Sequence, residues 1–157
     1  MTQPAKISFT IPAVPIAQPR HRIGKVDGKA MAFGAKMTHP IHAFKATVIL
    51  AAREAYDGPP LQGPLRVDLL FAMPRPKVKV WKSKPMPREW HAKKPDKDNL
   101  EKGVVDALTK LLWKDDSQIS MGTTIKVICS GDEQPFVRVE VFTQLPEVAV
   151  ILERATP

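Results

Sequence analysis

Acidic side chains are concentrated in two short stretches of the second half of the chain, residues 96–101 and 115–116. Asp96 and Asp98 are two residues apart, so on an extended backbone both carboxylates point the same way and can share one hard cation. Carboxylate oxygens are the ligands that Mg²⁺ takes from proteins. A site built from both stretches requires the fold to bring them together, and the spacing alone leaves that closure open.

Simpler interpretations of these acids stay open as well. Asp98 is suited to cap a following helix, because Asp is favoured there and its charge complements the helix N-terminus. The Asp115-Asp116 pair is also typical of an ordinary turn. The usual calcium EF-hand is excluded, because Leu100 stands at the third acidic position and Glu101 at the position that needs glycine. The sequence contains no His-Glu-x-x-His zinc motif, no P-loop and no glycine-rich dinucleotide fingerprint.

A helix is predicted between the two acidic stretches, from about residue 99 to residue 112. Its apolar residues recur at a spacing that forms one buried stripe: Leu100, Val104, Leu108 and Leu111. The opposite face carries Asp98, Lys102 and Asp106 at positions i, i+4 and i+8. Lys102 thus stands one turn from Asp98, and Asp106 is expected to make structural ion pairs rather than to bind metal.

The remaining elements are predicted from alternation and from turn residues. Strands are expected at residues 6–16, 65–73, 119–129 and 136–144, a helix at residues 40–56 with Thr38 as a nearby cap, and a basic loop or hairpin at residues 17–36. Pro12 and Pro15 should end the first strand early or place it at a sheet edge. The expected fold is α/β (α+β), a small mixed β-sheet of about four to five strands with two main helices.

Two segments are predicted to lie outside regular structure or at the margin of the fold. Residues 1–145 are expected to form a single domain, followed by a C-terminal tail, residues 146–157, whose apolar run at 148–152 is an extra strand or a dimer contact. Residues 75–94 form a long basic loop with eight Lys and Arg residues against one acid, Glu89. Trp81 and Trp90 in this loop are expected either to stack on unpaired bases or to pack against the core and hold the loop there. The third interpretation is that the whole segment is an ordinary solvated surface loop.

Composition limits the class of protein. The chain has 157 residues with 24 Lys and Arg against 16 Asp and Glu, a net charge of +8 that favours a polyanionic partner, with nucleic acid first. Its single cysteine, Cys129, excludes an intramolecular disulfide framework and a zinc cluster of cysteines. No stretch approaches the roughly 20 apolar residues of a membrane span, and the first residues lack the apolar run of a secretory signal. We therefore expect a soluble, cytoplasmic protein with no membrane partner.

The full acidic string resembles a known family. Asp96-x-Asp98-Asn99-Leu100-x-Lys102, followed by Trp113-x-Asp115-Asp116-Ser117-Gln118-Ile119, is similar to the motif of the RusA family of Holliday junction resolvases, the crossover junction endodeoxyribonucleases. That family carries Asp-x-Asp-Asn-Leu-x-Lys with a downstream Asp-Asp-x-Gln. The chain departs from the pattern in the long basic loop, in a shorter connection from the helix to Trp113 that lacks a glycine, and in the tail.

The resemblance implies a function and a set of site residues. It implies a homodimeric, Mg²⁺-dependent, structure-selective endodeoxyribonuclease, in which Mn²⁺ can substitute, that resolves four-way DNA junctions by paired symmetric nicks in recombination and repair. No small-molecule cofactor is implied, and the setting is the cytoplasm of a bacterial or phage-infected cell. The implied metal ligands and catalytic residues are Asp96, Asp98 and Asp116, with Asp115 as a fourth candidate ligand and Lys102 as a catalytic residue. The candidate DNA contacts are Arg20, Arg22, Lys93 and Lys94, with Lys77, Lys79 and Lys82 behind them.

Two other functions compete with junction resolution. One is a metal-dependent nuclease whose substrate is another branched DNA, such as a flap. The other is a protein that binds junction DNA without cutting it and whose acids are structural. A pure binder has little use for clustered acids beside DNA, because they repel its phosphates.

Overall fold

The computed structural model of the chain describes residues 2–155, with side chains described as far as residue 151. Its strands are β1 (Lys6–Ile11), β2 (Arg22–Val26), β3 (Lys29–Phe33), β4 (Leu65–Met73), β5 (Glu89–Trp90), β6 (Ile119–Ile128) and β7 (Phe136–Phe142). Its helices are α1 (Ile41–Ala55), α2 (Lys97–Leu108) and α3 (Val148–Ala155), with single 3₁₀ turns at Lys77–Lys79 and Asp116–Gln118. No helix within these residues is long and apolar enough to cross a membrane.

Five strands form one mixed sheet in the order β1-β7-β4-β6-β5. The central pair β4 and β6 is parallel, and the other neighbours are antiparallel. A parallel pair needs a crossover connection, and α2 lies within the chain that links β4 to β6. The predicted fold class, a small mixed sheet with two main helices, is confirmed. Strands β2 and β3 form a separate two-stranded sheet, a hairpin.

The core lies between one face of the sheet and the helices α1 and α2. Alternate residues of β1 and β7 are buried, as period-2 alternation predicts. The buried face of α1 consists of Ile41, Phe44, Val48 and Ala52, and that of α2 consists of Leu100, Gly103, Val104, Ala107 and Leu108. Each large apolar side chain buried here contributes about 1.5–3 kcal/mol to folding.

The hairpin β2–β3 turns at Asp27 and Gly28, whose φ angles are 51° and 80°. Positive φ at both central residues is the geometry of the type I′ turn that an Asp-Gly pair favours between two strands. The basic segment is therefore a hairpin rather than an irregular loop.

Several predicted boundaries were wrong. The first strand ends at Ile11, directly before Pro12, and residues 12–16 are not part of it. Helix α1 begins after Pro40 without a side-chain cap from Thr38. Helix α2 covers residues 97–108 rather than 99–112. The described part of the tail forms the helix α3, not a strand.

The earlier start of α2 changes the roles of its first acids. Asp96 is the N-cap residue with φ −70° and ψ 144°, and no side chain caps the helix. Asp98 lies inside the first turn, so the prediction that it caps the helix was wrong. The premise that Asp96 and Asp98 both stand on extended backbone was wrong for the same reason. Asp98 keeps the favourable interaction of a carboxylate with the positive end of the helix.

Candidate functional site

Helix α2 and the 3₁₀ turn before β6 line one open depression of about 410 Å³. The residues around it are Asp98, Glu101, Lys102, Val105, Asp106, Asp116 and Ile119. The predicted polar face of α2, with Asp98, Lys102 and Asp106, therefore forms one wall. Asp116 joins it from a different element, so the fold brings residues of both acidic stretches to one depression.

Asp116 is positioned by a tightly held turn after α2. Lys110 has a φ of 73°, and its amide donates to the carbonyl of Trp113 at 2.7 Å. The Trp113 side chain is fully buried, and its Nε1 donates to Thr109 Oγ1 at 3.0 Å. These contacts reverse the chain directly after α2 and lead it to the start of β6.

Gln118 fixes the second half of the same turn. Its side-chain amide donates to the carbonyls of Leu61 and Gly63 at 3.0 and 3.1 Å. Its Oε1 accepts from the amides of Lys114 and Asp115 at 2.9 and 3.2 Å. The glutamine of the Asp-Asp-x-Gln motif is thus a structural residue that sets where the two acids point.

Asp115 and Asp116 line different depressions. Asp115 lines a depression with Gln62 and Gly63 that includes no residue of α2. Its carboxylate accepts from the Ser117 amide at 3.0 Å and caps the 3₁₀ turn. Hydrogen bonds from Ser117 lower the pKa of Asp115. Asp115 is therefore occupied in the turn, whereas Asp116 faces the depression beside α2.

Asp96 lies at the start of α2, outside the residues that line this depression. Its carboxylate is 3.7 Å from Arg20 Nη2, and both side chains are exposed. The backbone before it is held by Lys126 of β6, whose Nζ donates to the carbonyls of Lys93 and Pro95 at 2.7 Å each. Lys126 thus positions the segment that carries Asp96. Sequence reasoning missed it, although a lone cation at the apolar end of a strand was the available signal.

A second link runs between α2 and β6. Thr124 Oγ1 donates to Glu101 at 2.9 Å, and Glu101 also lies 4.0 Å from Lys97. Asp106 has two cationic partners, Lys102 at 3.4 Å and Lys45 at 3.8 Å. The expected structural pairing of Asp106 is therefore present. Lys102 has this pair as its observed contact, and its side chain is 55% exposed.

The donor set of the depression suits a hard divalent cation. Glu101 and Asp106 have protein partners, whereas the carboxylates of Asp98 and Asp116 contact no donor among the described residues. Free carboxylate oxygens are the ligands of Mg²⁺. Among the described residues, no three His, Cys, Asp or Glu side chains are placed so that together they could hold a metal ion. The three-carboxylate cluster of Asp96, Asp98 and Asp116 stays a prediction.

The long basic loop has a defined structure that charges hold in place. The guanidinium of Arg75 is 5% exposed and donates to the carbonyls of Cys129 and Lys79, to Glu89 and to the carbonyl of Pro87. Glu89 also pairs with Lys79. Glu89, the one acid of the loop, is therefore its internal counter-charge, and hydrogen bonds from Lys79 and Arg75 lower its pKa.

The two tryptophans of the loop do not pin it to the core. Trp90 is 77% exposed and Trp81 is 36% exposed, and both stand among basic residues. Among the candidate DNA contacts, Lys79 has its partner in Glu89, while the others are exposed: Arg20, Arg22, Lys77, Lys82, Lys93 and Lys94. Lys93 and Lys94 belong to the segment that Lys126 holds, so two exposed cations lie shortly before Asp96 in the chain.

The loop is anchored to the β6–β7 connection through Arg88 and Glu133. Glu133 accepts hydrogen bonds from Nε and Nη2 of Arg88, and one from the Ser130 amide at 2.9 Å. These contacts lower the pKa of Glu133 from 4.5 to about 2, with Arg88 the larger cause. A carboxyl group with a lowered pKa stabilises the fold above its unfolded pKa, and that stabilisation is lost as the pH falls toward its folded pKa.

We expect Glu133→Gln to lower the free energy of unfolding by at most about 1 kcal/mol at pH 7, because Arg88 and Glu133 are partly exposed. The difference from the unmodified protein should shrink between pH 4.5 and about 2. Chemical denaturation at pH 7, 4 and 3 measures it, with the exposed Glu147→Gln as the matched control. A difference that stays constant across this range would contradict the assignment.

The chain is similar to known proteins over most of its length. Residues 12–142 match the family model described as Endodeoxyribonuclease RusA, which includes both acidic stretches, the hairpin and strands β4 to β7. The chain is also similar to a protein of Bacillus subtilis (strain 168) described as "Uncharacterized protein YqaN". The two are 37% identical over 139 residues, which cover 85% of this chain and 93% of the relative. The family resemblance seen in the acidic motif is confirmed: this chain belongs to the RusA family of endodeoxyribonucleases.

Proposed function

We propose that this protein is a Mg²⁺-dependent endodeoxyribonuclease, in which Mn²⁺ can substitute, that resolves four-way DNA junctions by paired symmetric nicks. One observation carries the proposal beyond the family match. Asp98 and Asp116, from two separate elements, share a depression with Lys102 and contact no protein donor among the described residues. Such carboxylates suit a divalent cation, and a bound divalent cation can promote phosphodiester hydrolysis, the reaction of an endodeoxyribonuclease.

Asp98 and Asp116 would hold the cation, with Asp96 as the third ligand at the start of α2. A bound divalent cation supplies a nucleophilic water and stabilises charge on the leaving oxygen. Lys102 supports negative charge on the scissile phosphate from the middle of the same helix face. Asp106 holds Lys102 in place through the 3.4 Å pair. Lys126 fixes the backbone before Asp96, so that this carboxylate stays beside the helix N-terminus.

DNA binding must offset the repulsion between the acids and phosphates. The net charge of +8 provides a general attraction, and the exposed cations near the site provide local contacts. Arg20 lies 3.7 Å from Asp96, Arg22 follows it at the start of the hairpin, and Lys93 and Lys94 precede Asp96 in the chain. The basic loop adds Lys77 and Lys82, with Lys79 contributing to its shape.

A four-way junction has approximate two-fold symmetry, and paired nicks need two equivalent active sites. A homodimer provides both, and so we propose a symmetric dimer of this chain on each junction. Residues 1–145 act as the nuclease unit. The substrate assigns the protein to recombination and repair of DNA in a bacterial or phage-infected cytoplasm.

The proposal is tested with a synthetic mobile four-way junction labelled on opposing strands and incubated with the protein in Mg²⁺ or in chelator. Symmetric nicks that require the metal support it. Faster cleavage of a matched flap would instead indicate a nuclease for other branched DNA. Equal junction binding with and without Mg²⁺ and no nicks under any metal would indicate a binding protein.

The proposed metal ligands are tested by replacing Asp98. Asp98→Asn removes one negative charge at nearly constant size, so the cleavage rate should fall at least about a hundredfold. Junction binding should persist or tighten, because a repulsive charge leaves the DNA face. Single-turnover cleavage and a gel-shift titration measure the two effects. Asp57→Asn, an exposed acid outside the site, is the control, and a D98N rate near that of the control would refute the assignment.

Lys102 has two interpretations with opposite outcomes. If it only pairs with Asp106, Lys102→Met costs a few tenths of a kcal/mol and little activity. If it supports the phosphate charge, the rate should fall about a hundredfold with binding nearly intact. We expect the second outcome at saturating protein and Mg²⁺. Lys97→Met is the matched control, because Lys97 is 56% exposed on the same helix and also has an i,i+4 pair.

Lys126 is expected to act as a positioning residue. Lys126→Met removes both hydrogen bonds to the backbone before Asp96, so the Mg²⁺ concentration for half-maximal rate should rise and the maximal rate should fall about tenfold or more. Lys126→Arg, which can still donate to both carbonyls, should recover much of the loss. A Mg²⁺ titration of single-turnover rates measures this. A loss of stability in both variants with unchanged Mg²⁺ dependence would show a purely structural role.

A further inference from the structure

The hairpin β2–β3 stands apart from the sheet and is almost entirely exposed. Nine of its ten strand residues are exposed, and Gly24 is half-buried. Between the hairpin and residues 34–40 lies a cavity of about 870 Å³, twice the volume of the acidic depression. The metal and phosphate chemistry proposed above makes no use of this cavity.

The absence of a side chain at Gly24 leaves room for the Phe33 ring to lie against the hairpin. A Cβ atom added at Gly24 would lie 2.9 Å from Cε2 of the Phe33 ring and 3.4 Å from its Cδ2. Phe33 is nevertheless 45% exposed and lines the cavity. The ring is therefore an aromatic surface that lies close to the backbone at Gly24 and is otherwise open to a ligand.

A cation accompanies this ring. Arg22 is directly opposite Phe33 in the antiparallel ladder, so both side chains lie on the same face of the hairpin. Arg20 and Lys36 also line the cavity, together with the exposed apolar side chains of Ile23 and Met37. No acidic residue lines it. An aromatic surface beside several cations fits a ligand with a flat apolar part and negative charge, which describes a nucleotide.

The cavity adjoins the acidic site through the chain that enters the hairpin. The Gln18 amide donates to the carbonyl of Asn99 in α2 at 2.8 Å. Gly103 of α2 lets this segment approach, since a Cβ there would be 3.2 Å from the carbonyl oxygen of Ile16. Arg20 then lies 3.7 Å from Asp96. A nucleotide in the cavity would therefore be close to the strand that the acids cut.

We propose that this cavity takes one unpaired nucleotide from the branch point of the DNA, with its base stacked on Phe33 and its phosphates on Arg22 and Lys36. The volume is ample for one nucleotide, because ligand pockets of about 300–1,000 Å³ are usual. The cost of removing a base from a stack is lowest where pairing is already lost, and we place that loss at the branch point, where the continuous duplex is interrupted. The proposal rests on the proposed function and deepens it, since it makes the hairpin the part that distinguishes branched DNA from duplex.

The test uses the wild-type protein in chelator, so that binding is read without cleavage. A four-way junction carries the fluorescent base 2-aminopurine at a branch-point position, and a second junction carries it within an arm. Wild-type protein should change the fluorescence of the branch-point base and not that of the arm base. Phe33→Ala should abolish the change and reduce the preference for junction over duplex by about five- to a hundredfold, the loss expected for one stacked base. Phe33→Tyr should keep both properties.

Met31→Ala is the control for damage to the hairpin, because Met31 is 48% exposed on the same strand and does not line the cavity. A Phe33→Ala protein with the fluorescence change and the junction preference of Met31→Ala would overturn the proposal. Nicking of the unlabelled junction by wild-type protein in Mg²⁺ is measured in parallel. Symmetric nicks without a Phe33 effect would refute the cavity and leave the proposed function intact. A Phe33 effect without nicks would keep the cavity and refute the nuclease activity.

Discussion

The parallel pairing of β4 with β6 is the constraint on which the rest of this structure depends. Two parallel neighbours require a crossover, and α2 with its following turn provides it. The pairing begins at Leu65 and Ile119, directly after the turn that carries Asp116. Gly122 allows the strands to meet, because a Cβ there would lie 2.1 Å from the Val67 carbonyl oxygen. The position of Asp116 beside α2 thus follows from the register of two core strands.

The second organising feature is the separation of charge. Acids that serve the fold have partners, as Glu101, Asp106 and Glu133 show. Of the four acids that line the depression, Glu101 and Asp106 have these partners, whereas Asp98 and Asp116 have no ion-pair partner among the described residues. Two acids anchor the basic loop: Glu89 pairs with Arg75 and Lys79, and Glu133 pairs with Arg88. Most of the other cations of the loop are exposed. A protein of this charge can therefore bind a polyanion and still present carboxylates to a metal.

The part of the site that could be predicted from the sequence was the set of polar residues that share one face of α2. The shared face of Asp98, Lys102 and Asp106 depends only on helical periodicity, so it survives an error of two residues in the start of α2. Capping depends on the boundary itself, and so the assignment of Asp98 as the cap failed. The strands of the sheet could be predicted from the alternation of their residues and from the turn residues between them. The apolar run after residue 147 formed a helix, because a short apolar run fits either period.

Long-range contacts account for what the sequence left open. Lys126 reaches two carbonyls more than thirty residues away, and no local pattern encodes such a contact. Gln118 likewise determines which of two adjacent acids faces α2 by bonding to residues 61 and 63. The Phe33 surface depends on a glycine across the hairpin. In each case the residue itself could be read from the sequence, whereas its distant contact partner could not be predicted.

The central claim is that Asp98 and Asp116 bind one divalent cation together. Its most direct test is a crystal of the protein soaked in Mn²⁺, with the metal located from its anomalous scattering. The account predicts a peak in the depression beside α2, bonded to carboxylate oxygens of both residues. A crystal in which Mn²⁺ binds elsewhere, or in which this depression stays empty at saturating metal, would contradict it.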